Sequence, residues 1–154
     1  MIAAHIMFTD MVTVRSGDTL EKALKLMDET KAHEVAVVDD EGRVVGMLTP
    51  DVILHKTVME KSGENSSKGS ELPSPARRFF ENFRGLSSRD VGEAMERDVI
   101  KVGPETSTAE VTNILLNRNK GIANVAVVDD RDVLLGIIRP LDVVRRLWEH
   151  VDAP

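Results

Sequence analysis

Cysteine and tyrosine are absent from the 154 residues, and the remaining aromatics make up only 3%. Without cysteine there is neither a disulfide framework nor a thiolate metal site, and the composition suits a reducing compartment. With so few rings, the core has to be built from Val, Ile, Leu, Met and Ala, whose shapes suit strands and helix-on-sheet packing, so an α/β class is expected. The longest mainly apolar stretch, residues 133–138, is far below the roughly 20 residues of a membrane span. No basic region leads into an apolar segment at the N-terminus. The chain therefore reads as cytoplasmic, without a membrane span of its own. A formal net charge of −6 supplies no overall field for a polyanion, which makes nucleic acid a poor partner.

Motifs for the common chemistries are missing too. There is no Gly-Lys-Ser/Thr phosphate loop, no Gly-x-Gly-x-x-Gly and no Gly-x-Ser-x-Gly. His5, His33, His55 and His150 are scattered without zinc spacing. The acidic pairs Asp39-Asp40 and Asp129-Asp130 fall at predicted hairpin tips, where Asp serves the turn. These observations argue against an enzyme and against a resident metal or required cofactor.

What is present is a repeat. The run Val35-Ala36-Val37-Val38-Asp39-Asp40 returns identically from Val125 to Asp130, at an offset of 90. At the same offset Gly46 falls on Gly136 and Pro50 on Pro140. Upstream the offset is 88, pairing Met7 with Met95, Asp10 with Asp98, and Thr19 with Ser107. Each half reads as a strand (residues 12–14 or 99–102), a helix opened by Asp18 or Thr106, a two-stranded hairpin, and a closing helix starting near Pro50 or Pro140. A half of about 75 residues is marginal alone, so two such β-α-β-β-α units are expected to cover each other. Between them, residues 61–75 are rich in Ser, Gly, Glu and Lys and are expected to be mobile. Residues 76–85 follow, with Phe79, Phe80 and Phe83 beside Arg77, Arg78 and Arg84, predicting an amphipathic helix that ends at Gly85.

Met-x-x-Asp ahead of the first strand, a Val-Val-Asp strand and a Gly-hydrophobic-hydrophobic edge occur in this order in both halves. The pattern resembles the CBS domain family over residues 2–55 and 90–148. The division that follows is 1–56 for a first unit, 57–89 for the linker and short helix, and 90–154 for a second unit. The resemblance implies two units about a pseudo-twofold axis, sheets packed face to face, with clefts for adenosine-containing ligands. It also implies a homodimer, and an effector protein of unidentified kind that responds to a regulatory adenine nucleotide.

Ligand-binding members of that family carry Gly-hydrophobic-hydrophobic-Ser/Thr-x-x-Asp, the carboxylate accepting from the ribose hydroxyls and the hydroxyl residue approaching phosphate. The second unit has Gly136-Ile137-Ile138-Arg139-Pro140-Leu141-Asp142, with Arg139 in the hydroxyl position. Arginine grips phosphate through two points. Lys101, with Ile100 on the same strand, adds a second cation in that expected cleft. The first unit keeps Thr49 but brings Asp51 one residue early, a rotation of about 100° on a helix; Thr13 and Thr49 remain there for a phosphate. Adenine is expected to be read by backbone near His33 and Val35 in one unit, and by Ile122, Ala123, Asn124 and Val125 in the other. The competing readings are plain: Asp142 as a helix-start residue, Arg139 and Lys101 as solvated charges, and an assembly module whose clefts stay empty.

Overall fold

The computed structural model describes residues 1–60, 74–117 and 124–151. Most of the segment expected to be mobile lies outside the described residues, as do Ile122 and Ala123. A helical turn α1 (Ala3–Ile6) comes first, then β1 (Val12–Arg15), α2 (Leu20–Thr30), β2 (Val35–Val38), β3 (Val44–Leu48) and α3 (Pro50–Met59). After α4 (Pro75–Ser87) and the turn α5 (Val91–Ala94), the second half gives β4 (Lys101–Val102), α6 (Thr108–Leu116), β5 (Val125–Val128), β6 (Leu134–Ile138) and α7 (Pro140–Val151). The expected β-α-β-β-α order is therefore present twice, in two three-stranded sheets ordered β1-β2-β3 and β4-β5-β6. In the second sheet β5 is central, parallel to β4 and antiparallel to β6. All four residues of β2 and of β5 are buried, which is why the repeated Val-Ala-Val-Val carries no polar alternation.

Several boundaries differ from expectation for local reasons. The helices open one residue later than Asp18 and Thr106. The Thr19 hydroxyl accepts from the Lys22 amide at 3.2 Å and the Ser107 hydroxyl from the Glu110 amide at 3.2 Å. Asp18 instead closes the turn after β1, accepting from the Arg15 amide at 2.9 Å and pairing with Lys22 at 2.9 Å. The strand expected at 99–102 is only Lys101–Val102, although the Ile100 carbonyl still accepts from the Ala126 amide at 2.9 Å. Gly85 does not end α4. A mid-helix glycine costs about 1 kcal/mol, whereas seating Leu86, only 2% exposed, contributes roughly 2 kcal/mol. Asn82 anchors the same face, its side-chain amide donating to the Thr57 and Glu60 carbonyls at the end of α3 at 3.2 and 3.0 Å.

The chain packs into two compact bodies that cross the repeat boundaries: Met1–Met11, Val38–Val45 and Asp98–Pro154 form one, Val12–Val37 and Gly46–Arg97 the other. Within the first, Phe8 and Ile137 exchange backbone hydrogen bonds of 2.7 and 3.0 Å, so the N-terminal segment lies along β6. Ala3, Ile6, Val102, Val111, Val125, Val127, Ile138 and Val143 make its core. Within the second, Met47 and Glu96 exchange bonds of 2.9 Å, the same arrangement against β3. These contacts explain the repeated glycine. A Cβ on Gly136 would stand 2.9 Å from the Phe8 carbonyl oxygen and 2.9 Å from Met7 Cγ, and one on Gly46 would stand 3.0 Å from the Glu96 oxygen and 2.8 Å from Met95 Cγ.

Gly136→Ala and Gly46→Ala are each expected to destabilise by about 1–3 kcal/mol, read from urea denaturation, because the methyl overpacks against the Phe8 carbonyl and Met7 at one site and against the Met95 side chain and the Glu96 carbonyl at the other. Gly103, which meets nothing within 4 Å, is the control site. The Arg15 amide and the Lys22 ammonium hold the Asp18 carboxyl below the usual carboxylate range. Its stabilising effect is present above the unfolded-state pKa and is lost as pH falls through the lowered folded-state value. Asp18→Asn should therefore lower the Tm at neutral pH, with the gap to wild type closing only in strong acid.

Candidate functional site

The junction between β6 and α7 brings a buried carboxylate and a guanidinium together in the first body. Ile137 and Ile138, 1% and 0% exposed, fix the end of the strand, and Pro140 starts the helix with a preset φ. Arg139 stands between them, and Asp142 lies one helical turn on. The Asp142 side chain is only 8% exposed, yet it is not alone there. Its Oδ2 accepts from the Arg139 amide at 2.9 Å and from Arg139 Nε at 2.7 Å, while Oδ1 accepts from a terminal guanidinium nitrogen of the same residue at 2.7 Å. The guanidinium carbon also lies 4.3 Å from the centre of the Phe8 ring.

Asp142 thus does what a carboxylate three residues into a helix can do for an unpaired amide behind it, half of a capping box. The first repeat has the other half. Thr49, buried at the start of α3, accepts from the Val52 amide at 3.3 Å. Asp51, one position short of the Asp142 equivalent, is exposed on the first turn of α3. The helix-start reading of Asp142 is therefore realised, together with a two-point ion pair that composition alone does not announce.

Lys101 takes a different partner. Its ammonium pairs with Asp132, a hairpin residue held at a φ of 69°. The structure thus joins Arg139 with Asp142 but engages Lys101 at another carboxylate. Ile100 is half-buried with its carbonyl committed to β5, and Asn124 is half-buried at the entry to that strand. Val125 is fully buried in the core, so only its main chain can face a ligand. In the first repeat Val35 is likewise fully buried, while Thr13 and His33 are exposed.

The acidic pairs behave as turn residues. Asp39 accepts from the Glu41 and Arg43 amides, and Asp129 from those of Arg131 and Val133, at 2.9–3.0 Å. The Arg43 side chain holds the Asp39 carboxyl below the usual range. Among the described residues no three His, Asp or Glu side chains gather for a metal ion, and no helix is long and apolar enough to cross a membrane. Sequence reasoning missed Phe8. Its signal was faint: it follows the repeated Met7 yet aligns with Glu96, so no shared motif marks it.

The profile described as "CBS domain" matches residues 3–57 and 90–149. An uncharacterized protein of Methanocaldococcus jannaschii is 29% identical over 143 residues, 92% of this chain and 47% of that protein. A second from the same organism is 28% identical over 142 residues, 91% of this chain and 30% of that one. The chain thus spans less than half the length of either. Among solved structures, the CBS-pair protein CBSX2 of Arabidopsis thaliana superimposes with a TM-score of 0.76 at 19% identity, covering 99% of this chain and 98% of that one. CBSX2 in complex with AMP gives 0.71 at 20% identity, covering 96% and 97%. The CBS domain pair of protein MJ0100, in complex with 5′-methylthioadenosine and S-adenosyl-L-methionine, gives 0.70 at 20% identity, covering 96% and 99%. At these identities the likeness is one of fold.

A double-mutant cycle over Arg139→Ala and Asp142→Ala, read by urea denaturation, should give a coupling energy of about 1–3 kcal/mol. Arg139→Ala should cost more than Asp142→Ala, since it leaves the more buried of the two charges unpaired: the side chains are 29% and 8% exposed.

Proposed function

The chain belongs to the CBS domain family as a tandem pair of its units, and on that premise we propose that it is a regulatory module, not an enzyme, which binds an adenosine-containing ligand and passes the ligand state to a partner protein. The observation that carries this reading is the β6–α7 junction, where a carboxylate and a guanidinium sit together at a strand end and a helix start. Such a junction offers an acceptor to ribose hydroxyls, a cation to phosphate and helix amides to an anion. In this reading Asp142 takes the ribose, Arg139 and Lys101 the phosphate, and the main chain of residues 122–125 the adenine. Complexes of AMP, 5′-methylthioadenosine and S-adenosyl-L-methionine with proteins of this fold support an adenosyl compound as the ligand class.

Thr13, Thr49, Asp51, His33 and Val35 would line the corresponding cleft of the first repeat. That cleft is the weaker one, because Thr49 already serves its helix amide and Asp51 is out of phase. Ligand binding regulates only if affinity differs between two arrangements of the protein, so the effect passed on is a shift in their populations. A second reading, an assembly module, is favoured by a specific feature. Leu141, Val144, Trp148 and Val151 form an exposed apolar stripe along α7, 60–73% accessible. A homodimer through that stripe is compatible with either reading.

Native mass spectrometry of protein purified without added nucleotide should reveal a retained adenosyl compound, and calorimetry should show binding that Asp142→Ala weakens at least about tenfold. No heat with any adenine compound, or heat indifferent to Asp142→Ala, would remove the nucleotide-sensing function. Val144→Glu with Trp148→Glu should abolish self-association in sedimentation while leaving ligand binding in place; self-association through this stripe with no adenine compound bound by either protein would favour the assembly reading.

A further inference from the structure

Helix α4 lies between the two stretches that match the family, residues 3–57 and 90–149, so the repeated units do not account for its outer surface. Its inner face is anchored: Leu86 is buried, and Asn82 donates to the Thr57 and Glu60 carbonyls at the end of α3. Beside that face Ala76, Phe79, Phe80 and Phe83 follow one another at i, i+3, i+4 and i+7, the spacing of a single helical stripe. Phe83 is half-buried and Phe79 is 37% exposed, whereas Phe80 stands out at 69%. The two exposed rings meet edge to face with centroids 6.2 Å apart, so Phe80 is braced in its outward position. Arg77 and Arg84 border the stripe. Arg77 pairs with Glu81 at 3.1 Å, but among the described residues neither Arg84 nor Arg78 meets a carboxylate.

We propose that this flank of α4 docks a partner protein whose surface offers an apolar pocket rimmed by carboxylates, with Phe80 as the inserted ring and Arg77 and Arg84 on the rim. This rests on the reading of the chain as a module that acts on a partner, and it names the surface and the partner's chemistry. Charge selects the occupant. The helix carries three arginines and one glutamate on a chain whose formal net charge is −6, so it is a local cationic patch on an acidic protein. A second copy laid on it helix to helix would bring like charges together. An anionic lipid surface matches the charge but not the relief, because on this stripe one ring protrudes while its neighbours are recessed. A single aromatic anchor flanked by less exposed apolar contacts and bordered by arginine suits a pocket, and such groups dominate the energetics of protein interfaces.

The test selects a phage library of random peptides on the intact chain, with Phe80→Ser as the counter-selecting bait. The enriched peptides should combine several carboxylates with apolar side chains. A synthetic copy of the most enriched one should bind wild type in calorimetry, lose at least about tenfold in affinity on Phe80→Ser, and lose a smaller, salt-sensitive part on Arg84→Gln. Both side chains are exposed, so both variants should keep the wild-type Tm, which separates lost docking from lost folding. No enrichment over Phe80→Ser, or enriched peptides without carboxylates, overturns the proposal. Co-sedimentation of wild type but not Phe80→Ser with phosphatidylglycerol vesicles overturns it in favour of lipid, and self-association that Phe80→Ser abolishes overturns it in favour of a second copy. Calorimetry with AMP on the same proteins keeps the two readings apart: no AMP binding with peptide docking intact removes nucleotide sensing and leaves this surface, whereas AMP binding with no peptide selected does the reverse.

Discussion

Two main-chain segments press so closely on two glycines that a Cβ at either would have to push a neighbour aside, and the rest of the architecture follows from that contact. Phe8 and Ile137 exchange hydrogen bonds beside Gly136, and Met47 and Glu96 do so beside Gly46. Each approach segment precedes the first strand of its own repeat but packs against the last strand of the other. Neither repeat therefore closes a core by its own residues, which agrees with the marginal stability expected of halves this small. The same contact reaches the candidate site. Pairing with Ile137 fixes Phe8, the Phe8 ring supports the Arg139 guanidinium, and that guanidinium holds Asp142.

The two halves start their closing helices with complementary pieces of one device. Thr49 answers an amide ahead of it, whereas Asp142 answers the amide behind it. Either suffices to open a helix, so stability does not require both repeats to keep both residues. What differs is the chemistry left over. After capping, the first repeat presents a buried hydroxyl and an exposed, out-of-phase Asp51, while the second presents a buried carboxylate locked to a guanidinium. The proposed asymmetry between the two clefts follows from two solutions to the same backbone problem.

Most of the fold was legible before any coordinates, because repetition multiplies weak signals. A single Val-Ala-Val-Val run is ambiguous between buried strand and helix, but twice with the same glycine and proline behind it reads as strand, hairpin and helix. The misreadings were local contests between neighbours. Asp18 and Thr106 are good cap residues beside Thr19 and Ser107, which are equally good, and geometry chose the latter pair. Gly85 is a stop signal in isolation, and only the seat for Leu86 reverses it. At the site, Asp142 and Arg139 were legible as a pair of interest, but the hydrogen bonds joining them were not. Alignment to Thr13 groups Lys101 with them, and its ion pair with Asp132 is a contact that no motif announces.

The sequence by itself determined what is periodic or short in range: two β-α-β-β-α units, the absence of disulfides, the hairpin turns, and the helix starts to within a residue. These follow from propensities and spacings that act over a few neighbours. Only the tertiary structure decided which body each approach segment joins, what a side chain at residues 46 and 136 would strike, and that Lys101 meets Asp132. Those outcomes depend on groups far apart in the chain arriving within 3–4 Å of one another, and periodicity along one strand carries no record of what lies across from it.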